Sequence, residues 1–153
     1  EVCSTTLPQA VLPEICGDER FGTHLAAQRA FYKKRAKTAV EILSQVPGVS
    51  VVEPQGAFYL SVVFDDQVID ETNVLPIGDD DVRRIVDGAV DGVVRDTRFV
   101  YYLLGATGVC VVPLSSFNSD LRGFRMTLLE KDDARFAQIC ETVARAMRQY
   151  MAA

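Results

Sequence analysis

The sequence has few of the residues that build metal centres and disulfide frameworks. It contains one histidine, His24, and four cysteines: Cys3, Cys16, Cys110 and Cys140. The cysteines form no Cys-x-x-Cys pair of the zinc-binding kind, and their wide spacing does not suit a dense disulfide framework. His24 has no companion motif of Ser, Cys or Asp that would make it a catalyst. We therefore expect reduced, mostly structural cysteines in a cytoplasmic protein, and a histidine that marks the start of a helix.

Long apolar runs and an excess of basic residues are also lacking. No run approaches the roughly 20 apolar residues that cross a bilayer, and the first residues do not resemble a signal peptide. The 21 acidic residues outnumber the 16 basic ones and give a net charge of −5, whereas nucleic-acid binding depends on clustered Lys and Arg. The basic cluster at 33–37 lies in a helical pattern and is expected to be a solvated face. We expect neither a membrane span nor a nucleic-acid partner.

What is present suits one globular domain. A chain of 153 residues is long enough to hide roughly two thirds of its unfolded surface. Its composition, 48% hydrophobic and 24% charged, is typical of globular proteins. The chain begins at Glu1 without an initiating Met, and we expect it to be cut from a longer protein. Residues 1–22 carry scattered Pro and Gly, which predicts an irregular lead with one short helix around 9–15.

The first half of the domain predicts a long helix and a pair of strands. After Thr23, which can serve as an N-cap, apolar residues recur every three or four positions until Pro47-Gly48, the rhythm of an amphipathic helix. Two β-rich stretches, 49–53 and 57–64, flank a Pro-Gln-Gly turn and are expected to pair antiparallel. The acidic, turn-rich stretch 65–81 predicts an excursion over the surface. Its paired aspartates match no calcium-loop spacing, so we expect no metal there.

The second half predicts two helices, two strands and a final helix. Apolar residues at helical intervals predict a helix over 82–93, although each of its two glycines costs about 1 kcal/mol relative to Ala. Asp96 is expected to cap the next helix, which ends at Gly105 or Gly108. The remaining elements are expected as strands at 109–113 and 124–129 and a helix from Asp132 to Tyr150. This order predicts an α+β fold: a small, mostly antiparallel sheet covered by helices on one side.

Four short motifs follow one another along the chain. They are Tyr32-x-x-Arg35, the Pro-Gln-Gly-Ala-Phe-Tyr of 54–59, the run from Leu103-Leu104 through Gly-Val-Cys-Val-Val-Pro at 108–113 to Phe117, and Phe-Arg-Met-Thr-Leu-Leu at 124–129. In order and spacing, from about residue 29 to the C-terminus, they resemble the C-terminal portion of class I and II aminotransferases, the fold-type I enzymes that depend on pyridoxal phosphate (PLP). The resemblance is strongest to the alanine-aminotransferase-like branch. Each motif alone is weak, whereas four in sequence are specific.

The resemblance implies that residues 23–153 are the small C-terminal domain of the family and that residues 1–22 lead out of the preceding large domain. It implies a homodimeric parent enzyme of amino-acid metabolism that transfers an amino group between an amino acid and a 2-oxo acid. In the family, the large domain holds PLP through a lysine, an Asp and a phosphate-binding cup. The lysines of this chain lie on a polar helical face or in a turn, and no Gly-rich phosphate motif occurs. We therefore expect no PLP and no activity on this fragment alone.

Arg125 is the candidate for substrate binding. A guanidinium can grip a carboxylate with two parallel hydrogen bonds, and an α-carboxylate is common to all amino-acid substrates. An alternating strand that turns Phe124 and Met126 to one side turns Arg125 to the other. The resemblance implies that Arg125 is the carboxylate clamp. The strand taken by itself also allows an ion pair of Arg125 with Asp120 or Glu130.

Three other positions bear on this candidate site. Arg122 competes with Arg125 but lies in a loop ahead of the strand in which the family's arginine falls. Tyr59 is expected to pack in the core or an interface, with substrate contact as the lesser alternative. Leu114 stands where the family usually has Gly, so a required positive φ would strain it and redirect the loop 114–120.

Two other functions stay open. A PLP lyase, synthase or decarboxylase of the same fold would use Arg125 in the same way. A non-catalytic interaction module could retain the small-domain fold without any chemistry. For an enzyme, the clamp and the lysine site lie on different domains, so the two domains are expected to close over the substrate and exclude water.

Overall fold

A computed structural model describes residues 5–153, so Cys3 lies outside the described part. Its helices are α1 (Thr6–Gly17), α2 (Phe21–Leu43), α3 (Asp80–Ala89), α4 (Arg95–Thr107) and α5 (Asp133–Met151), and its strands are β1 (Val49–Val52), β2 (Tyr59–Phe64), β3 (Val112–Pro113) and β4 (Gly123–Thr127). A 3₁₀ turn, Leu114–Phe117, follows β3. The strands form one sheet in the order β1-β2-β4-β3, and all neighbours are antiparallel. The predicted α+β class and the pairing of the first two strands are confirmed.

The sheet has one buried face and one open face. Leu60 lies opposite Met126, and Val62 lies opposite Phe124, across the antiparallel pair β2 and β4. All four side chains are buried, because residues that are directly opposite in a ladder point to the same face. The residues between them, Arg125 included, point to the other face and are only partly buried or exposed. The predicted alternation of the last strand is confirmed.

Helices α2, α4 and α5 supply the side chains that cover the buried face. The apolar stripe of α5 is buried over its whole length: Phe136, Cys140, Val143, Ala144, Met147 and Tyr150. Phe99 of α4 packs its ring against Phe64, Phe124 and Tyr150, with centroid separations of 5.1, 5.5 and 5.2 Å. Aromatic pairs at such separations contribute beyond the area that they bury. They join the middle of the sheet to two helices.

The cysteines differ in their surroundings. Cys140 is fully buried in α5, and burial raises the pKa of its thiol to about 11, so it acts as a small apolar side chain. Cys16 and Cys110 are exposed. The prediction of mostly structural cysteines is therefore correct for Cys140 alone among the described residues.

The N-terminal segment is more regular than its sequence predicts. The short helix predicted around 9–15 is present but longer, because α1 covers Thr6–Gly17, and the segment is less irregular than predicted, since α2 begins at Phe21, ahead of Thr23. Pro8 is tolerated because the first backbone N–H groups of a helix have no partner within it. No side chain of α1 is buried. The domain boundary at residue 23 stays a prediction.

The acidic stretch 65–81 runs over the surface, as predicted, with most of its residues exposed and no regular element until α3 begins at Asp80, but four of its side chains also anchor it in the core. Its buried apolar side chains are Ile69, Leu75 and Ile77. The buried Asn73 side chain accepts a hydrogen bond from the Asp70 N–H at 2.6 Å and donates one to the carbonyl of Ala153 at 3.1 Å. The acidic residues lie at 65–66, 70–71 and 79–81, so the buried apolar side chains sit between acidic groups and the overall composition gives no sign of the anchoring.

Two element boundaries also differ from the predictions. The helix predicted over 82–93 ends at Ala89, and Gly92 takes a φ of 67° that helical backbone does not allow. The strand predicted over 109–113 pairs only at Val112 and Pro113. Helix α4 ends at Gly108, as predicted, with a φ of 74° at that C-cap.

A buried arginine joins α2 to the start of α5. Arg35 is 1% exposed. Its guanidinium donates to the carbonyls of Glu130 and Lys131 at 2.8 and 2.7 Å and to the carboxylate of Asp133 at 2.5 Å. Its Cζ also lies 5.1 Å from the ring centroid of Phe136. Charge-assisted bonds of this kind are stronger than neutral ones, so Arg35 fixes the junction between β4 and α5.

We predict that Arg35→Met destabilises the protein by about 3–5 kcal/mol, because two backbone carbonyls and a carboxylate lose their donor. Lys34→Met is the control, since Lys34 binds the same Asp133 from an exposed position, where a pair contributes about 1 kcal/mol at most. Urea unfolding measures both, and equal losses would contradict the prediction. Lys34 and Arg35 hold the pKa of Asp133 below its usual range, so the stabilisation that comes from the charged Asp133 carboxylate is present at neutral pH and is lost as the pH falls through that lowered pKa, whereas the bonds of Arg35 to the two carbonyls remain.

We predict a second stability difference between two glycines. A Cβ at Gly123 of β4 would lie 2.1 Å from the backbone oxygen of Val62, so Gly123→Ala forces two central strands apart and costs about 3 kcal/mol or more. A Cβ at Gly88 inside α3 meets nothing within 4 Å, and Gly88→Ala should stabilise the protein by up to about 1 kcal/mol. Urea midpoints that shift in the same direction would be inconsistent with this packing.

Candidate functional site

Arg125 lies at the centre of the open face of the sheet. It belongs to β4, an inner strand of the order β1-β2-β4-β3. The register places it opposite Ser61 of β2 on one side and Val112 of β3 on the other. Its side chain is partly exposed. A ligand that reaches the open face therefore meets the guanidinium of Arg125 in the middle of the sheet.

Two aromatic rings flank this guanidinium. The Cζ of Arg125 lies 3.8 Å from the ring centroid of Phe117 and 4.3 Å from that of Tyr59. Phe117 ends the 3₁₀ turn after β3, and Tyr59 begins β2. The rings thus come from the two neighbours of β4, one on each side. Guanidinium groups over aromatic rings are attracted by the ring quadrupole.

The Arg125 guanidinium has no hydrogen bond or ion pair within residues 5–153. Glu130, one of the two carboxylates considered for it, instead accepts from the Asp132 N–H at 2.9 Å and lies 3.4 Å from the guanidinium of Arg135. Asp120, the other one, is exposed and does not pair with it. The donors of Arg125 are therefore unused by the described part of the chain, and an anion with two oxygens can engage them.

The 3₁₀ turn beside Arg125 has an unstrained start. Leu114 opens the turn and is buried, and it is not among the described residues with a positive φ. The positive φ of this loop falls on Asn118, at 55°, a residue type that adopts this conformation at little cost. Leu114 in place of Gly therefore causes no backbone strain.

A buried carboxylate holds the same turn. Asp96 is fully buried and accepts hydrogen bonds from the Thr97 N–H at 2.8 Å, the Ser115 Oγ at 2.8 Å and the Ser115 N–H at 2.9 Å. Val94 occupies the N-cap of α4, so the prediction of Asp96 as the cap is wrong. The bond reaches 19 residues along the chain, which no local pattern could reveal. Asp96 thus ties α4 to the turn that carries Phe117.

The other residues considered from the sequence lie elsewhere. Arg122 is exposed in the loop before β4, and its carbonyl accepts from the Phe64 N–H at 2.8 Å. His24 is exposed in the first turn of α2. Helix α2 packs against α1, α5 and β1, none of which carries Arg125. Neither residue belongs to the cluster on the open face.

The four lysines all lie within residues 5–153, and none of them lines either of two clefts found there. Two clefts of about 410 and 480 Å³ are lined by other residues. Lys34 pairs with Asp133, and Lys37 lies 3.7 Å from Glu41. Lys33 and Lys131 are exposed. Neither of these two clefts therefore offers an amine that could hold an aldehyde cofactor covalently.

The acidic residues of 65–81 have structural roles. Asp79 caps α3 by accepting from the N–H groups of Asp81 and Val82, and Asp80 pairs with Arg83. Among residues 5–153 no group of three or more His, Cys, Asp or Glu side chains is arranged to hold a metal ion. In the same residues no helix has the length and apolarity needed to cross a membrane.

Comparison with known proteins finds aminotransferases by family model, by sequence and by structure. The family model described as aminotransferase class I and II matches residues 1–143. The chain is 42% identical, over 151 residues and 99% of its length, to an uncharacterized aminotransferase of Methanocaldococcus jannaschii. It spans 35% of the length of that relative.

Solved structures of aminotransferases share the fold. The chain is 25% identical to an aspartate aminotransferase of Rhizobium meliloti, with a TM-score of 0.61 over 82% of this chain and 27% of that one. It is 18% identical to a multiple-substrate aminotransferase of Thermococcus profundus, with a TM-score of 0.63 over 99% of this chain and 32% of that one. The second likeness is one of fold alone.

We predict that Asp96→Ala destabilises the protein by about 2–4 kcal/mol, because the N–H groups of Thr97 and Ser115 lose their acceptor in a buried place. Asp96→Asn keeps one acceptor oxygen and should cost less. Asp91→Ala, at an exposed position, is the control and should change stability by about 0.5 kcal/mol at most. Thermal or urea unfolding measures the stability of the three variants. If Asp96→Ala loses no more stability than Asp91→Ala, the hydrogen bonds from Asp96 to Thr97 and Ser115 do not stabilise the protein.

Proposed function

Because the chain belongs to the class I and II aminotransferases, we propose that it is the small C-terminal domain of an enzyme that transfers an amino group between an amino acid and a 2-oxo acid. The chain spans about a third of its curated relative, so the rest of the parent has room for the large domain. The curated relative and the Rhizobium meliloti structure are both named as aminotransferases, which favours transfer over the lyase, synthase and decarboxylase alternatives and over a non-catalytic module.

The proposal depends above all on the guanidinium of Arg125 on the open face, whose donors have no acceptor within residues 5–153. The amino acid and the 2-oxo acid differ at the reacting carbon, yet both carry a carboxylate next to it. A planar fork of donors can bind that carboxylate in either reactant. One arginine thus holds substrate and product in the same place while the group on the neighbouring carbon changes, and this orients the reacting carbon.

The cofactor of the family is PLP, which serves as an electron sink when bound. The described residues do not fit it on their own, because their lysines lie on the surface and outside the clefts. We propose that the large domain of the parent provides the lysine and the rest of the PLP site. The contribution of this chain is then to bind and orient the carboxylate and to exclude water when the domains close. The fragment alone is proposed to be inactive.

We also propose that the parent is a homodimer, which is common in the family, and that it functions in amino-acid metabolism in the cytoplasm. These properties belong to the full-length protein. Sequencing the gene upstream of Glu1 tests the proposal directly, because an aminotransferase needs a lysine after a strand in a Ser-rich loop of the large domain. A reading frame that starts near Glu1 would instead support the interaction module.

We predict that Arg125→Leu in the full-length parent weakens the binding of 2-oxoglutarate and L-alanine by about 100-fold, since two charge-assisted hydrogen bonds are lost. The PLP content, measured by absorbance, should stay the same because Arg125 does not hold the cofactor. Arg122→Leu, in the exposed loop nearby, is the matched control and should bind both ligands normally. Unchanged affinity in Arg125→Leu would remove Arg125 from the site.

A further inference from the structure

The side chain of Arg125 is held by two aromatic rings and not by a carboxylate. An arginine side chain has many rotamers, and a carboxylate partner commonly restricts them. Such a partner would also occupy the donors and offset the charge that a substrate carboxylate needs. Within residues 5–153 Arg125 has no carboxylate partner, and its contacts are with the rings of Tyr59 and Phe117.

The sheet register places the Tyr59 ring beside Arg125. Ser61 lies directly opposite Arg125, and Tyr59 lies opposite Thr127, so Tyr59 and Arg125 are diagonal neighbours on one face. The small side chain of Ser61 leaves space for the ring to reach the guanidinium. The Phe58 ring packs against the Tyr59 ring in a tilted arrangement, with a centroid separation of 4.5 Å.

The backbone of the 3₁₀ turn places the Phe117 ring on the other side. Phe117 is 42% exposed, so burial in the core does not fix it. The turn itself is fixed, because both the N–H and the Oγ of Ser115 bind the buried carboxylate of Asp96. Asn118, with a φ of 55°, ends the turn immediately after the ring.

We propose that Tyr59 and Phe117 are positioning residues, which hold the guanidinium of Arg125 between their rings and leave its donors for the substrate carboxylate. The inference rests on the proposed role of Arg125 as the carboxylate clamp. The rings replace the ion pair that would otherwise orient the arginine. They also keep water from the guanidinium faces, so a carboxylate approaches along the edge that carries the N–H donors.

Substitutions in the full-length, PLP-loaded parent test the proposal. Tyr59→Leu and Phe117→Leu keep an apolar side chain and remove the ring, and each should weaken 2-oxoglutarate binding by about 3- to 10-fold through the loss of a cation–π contact. The dissociation constant is measured by titration of the cofactor absorbance. Tyr59→Phe and Phe117→Tyr keep the ring and should retain wild-type affinity. Val52→Ala, on the open face of edge strand β1, is the control and should also bind normally.

A double-mutant cycle separates positioning from direct substrate contact. If the rings act through Arg125, Tyr59→Leu and Phe117→Leu should have no further effect in a protein that already carries Arg125→Leu. A further loss in that background would overturn the proposal, and so would wild-type affinity of both Leu variants. Weak binding by Tyr59→Phe would also overturn it, because the hydroxyl rather than the ring would then matter.

The outcomes for the clamp and for the rings can be told apart. If Arg125→Leu leaves 2-oxoglutarate binding unchanged, the proposed function of Arg125 fails, and the positioning role fails with it. If Arg125→Leu weakens binding and the ring variants do not, the clamp stands and the positioning role alone is wrong. The melting temperature and PLP content of each variant should match the wild type, which excludes a general loss of structure.

Discussion

The guanidinium of Arg35 donates to the carbonyls of Glu130 and Lys131 and to the carboxylate of Asp133, all at the junction between β4 and α5. The rest of the structure depends on this junction. On one side, α5 carries the longest apolar stripe over the sheet. On the other side, β4 is an inner strand that pairs with both β2 and β3. Because Arg35 belongs to α2, one buried charge holds together a helix, the central strand and the covering helix.

Arg35 and Arg125 show how the surroundings of a side chain assign different roles to the same residue type. Arg35 is buried, and carbonyl and carboxylate oxygens take up its donors, so removing it leaves acceptors unsatisfied. Arg125 is partly exposed, lies against two rings and has no acceptor within residues 5–153. Arg35 therefore stabilises the fold. Arg125 retains its capacity for charge-assisted hydrogen bonds. The proposed clamp rests on this difference, because the donors of Arg35 already have acceptors and those of Arg125 have none within residues 5–153.

Much of the fold could be predicted from periodicity. The long helix α2, the antiparallel pair β1 and β2, and the stripe of α5 follow from apolar spacing, because packing on one core imposes one period for each kind of element. The predictions that were incomplete or wrong have a common cause, which is contact between segments that are far apart in the chain. The stretch 65–81 is polar in composition, yet it buries Ile69, Leu75 and Ile77. Asp96 has the spacing of a helix cap but binds Ser115, which lies in a different element.

The sequence by itself determined that Arg125 points away from Phe124 and Met126, because the side chains of a strand alternate with a period of two. It also carried the ordered motifs that predict the family and the α+β class. Only the tertiary structure decided what surrounds Arg125. Tyr59, Phe117 and Asp96 come from separate segments and converge through strand order, register and one long-range hydrogen-bonded turn. Contacts of this kind depend on where distant segments meet in space, and no local pattern of residues contains that information.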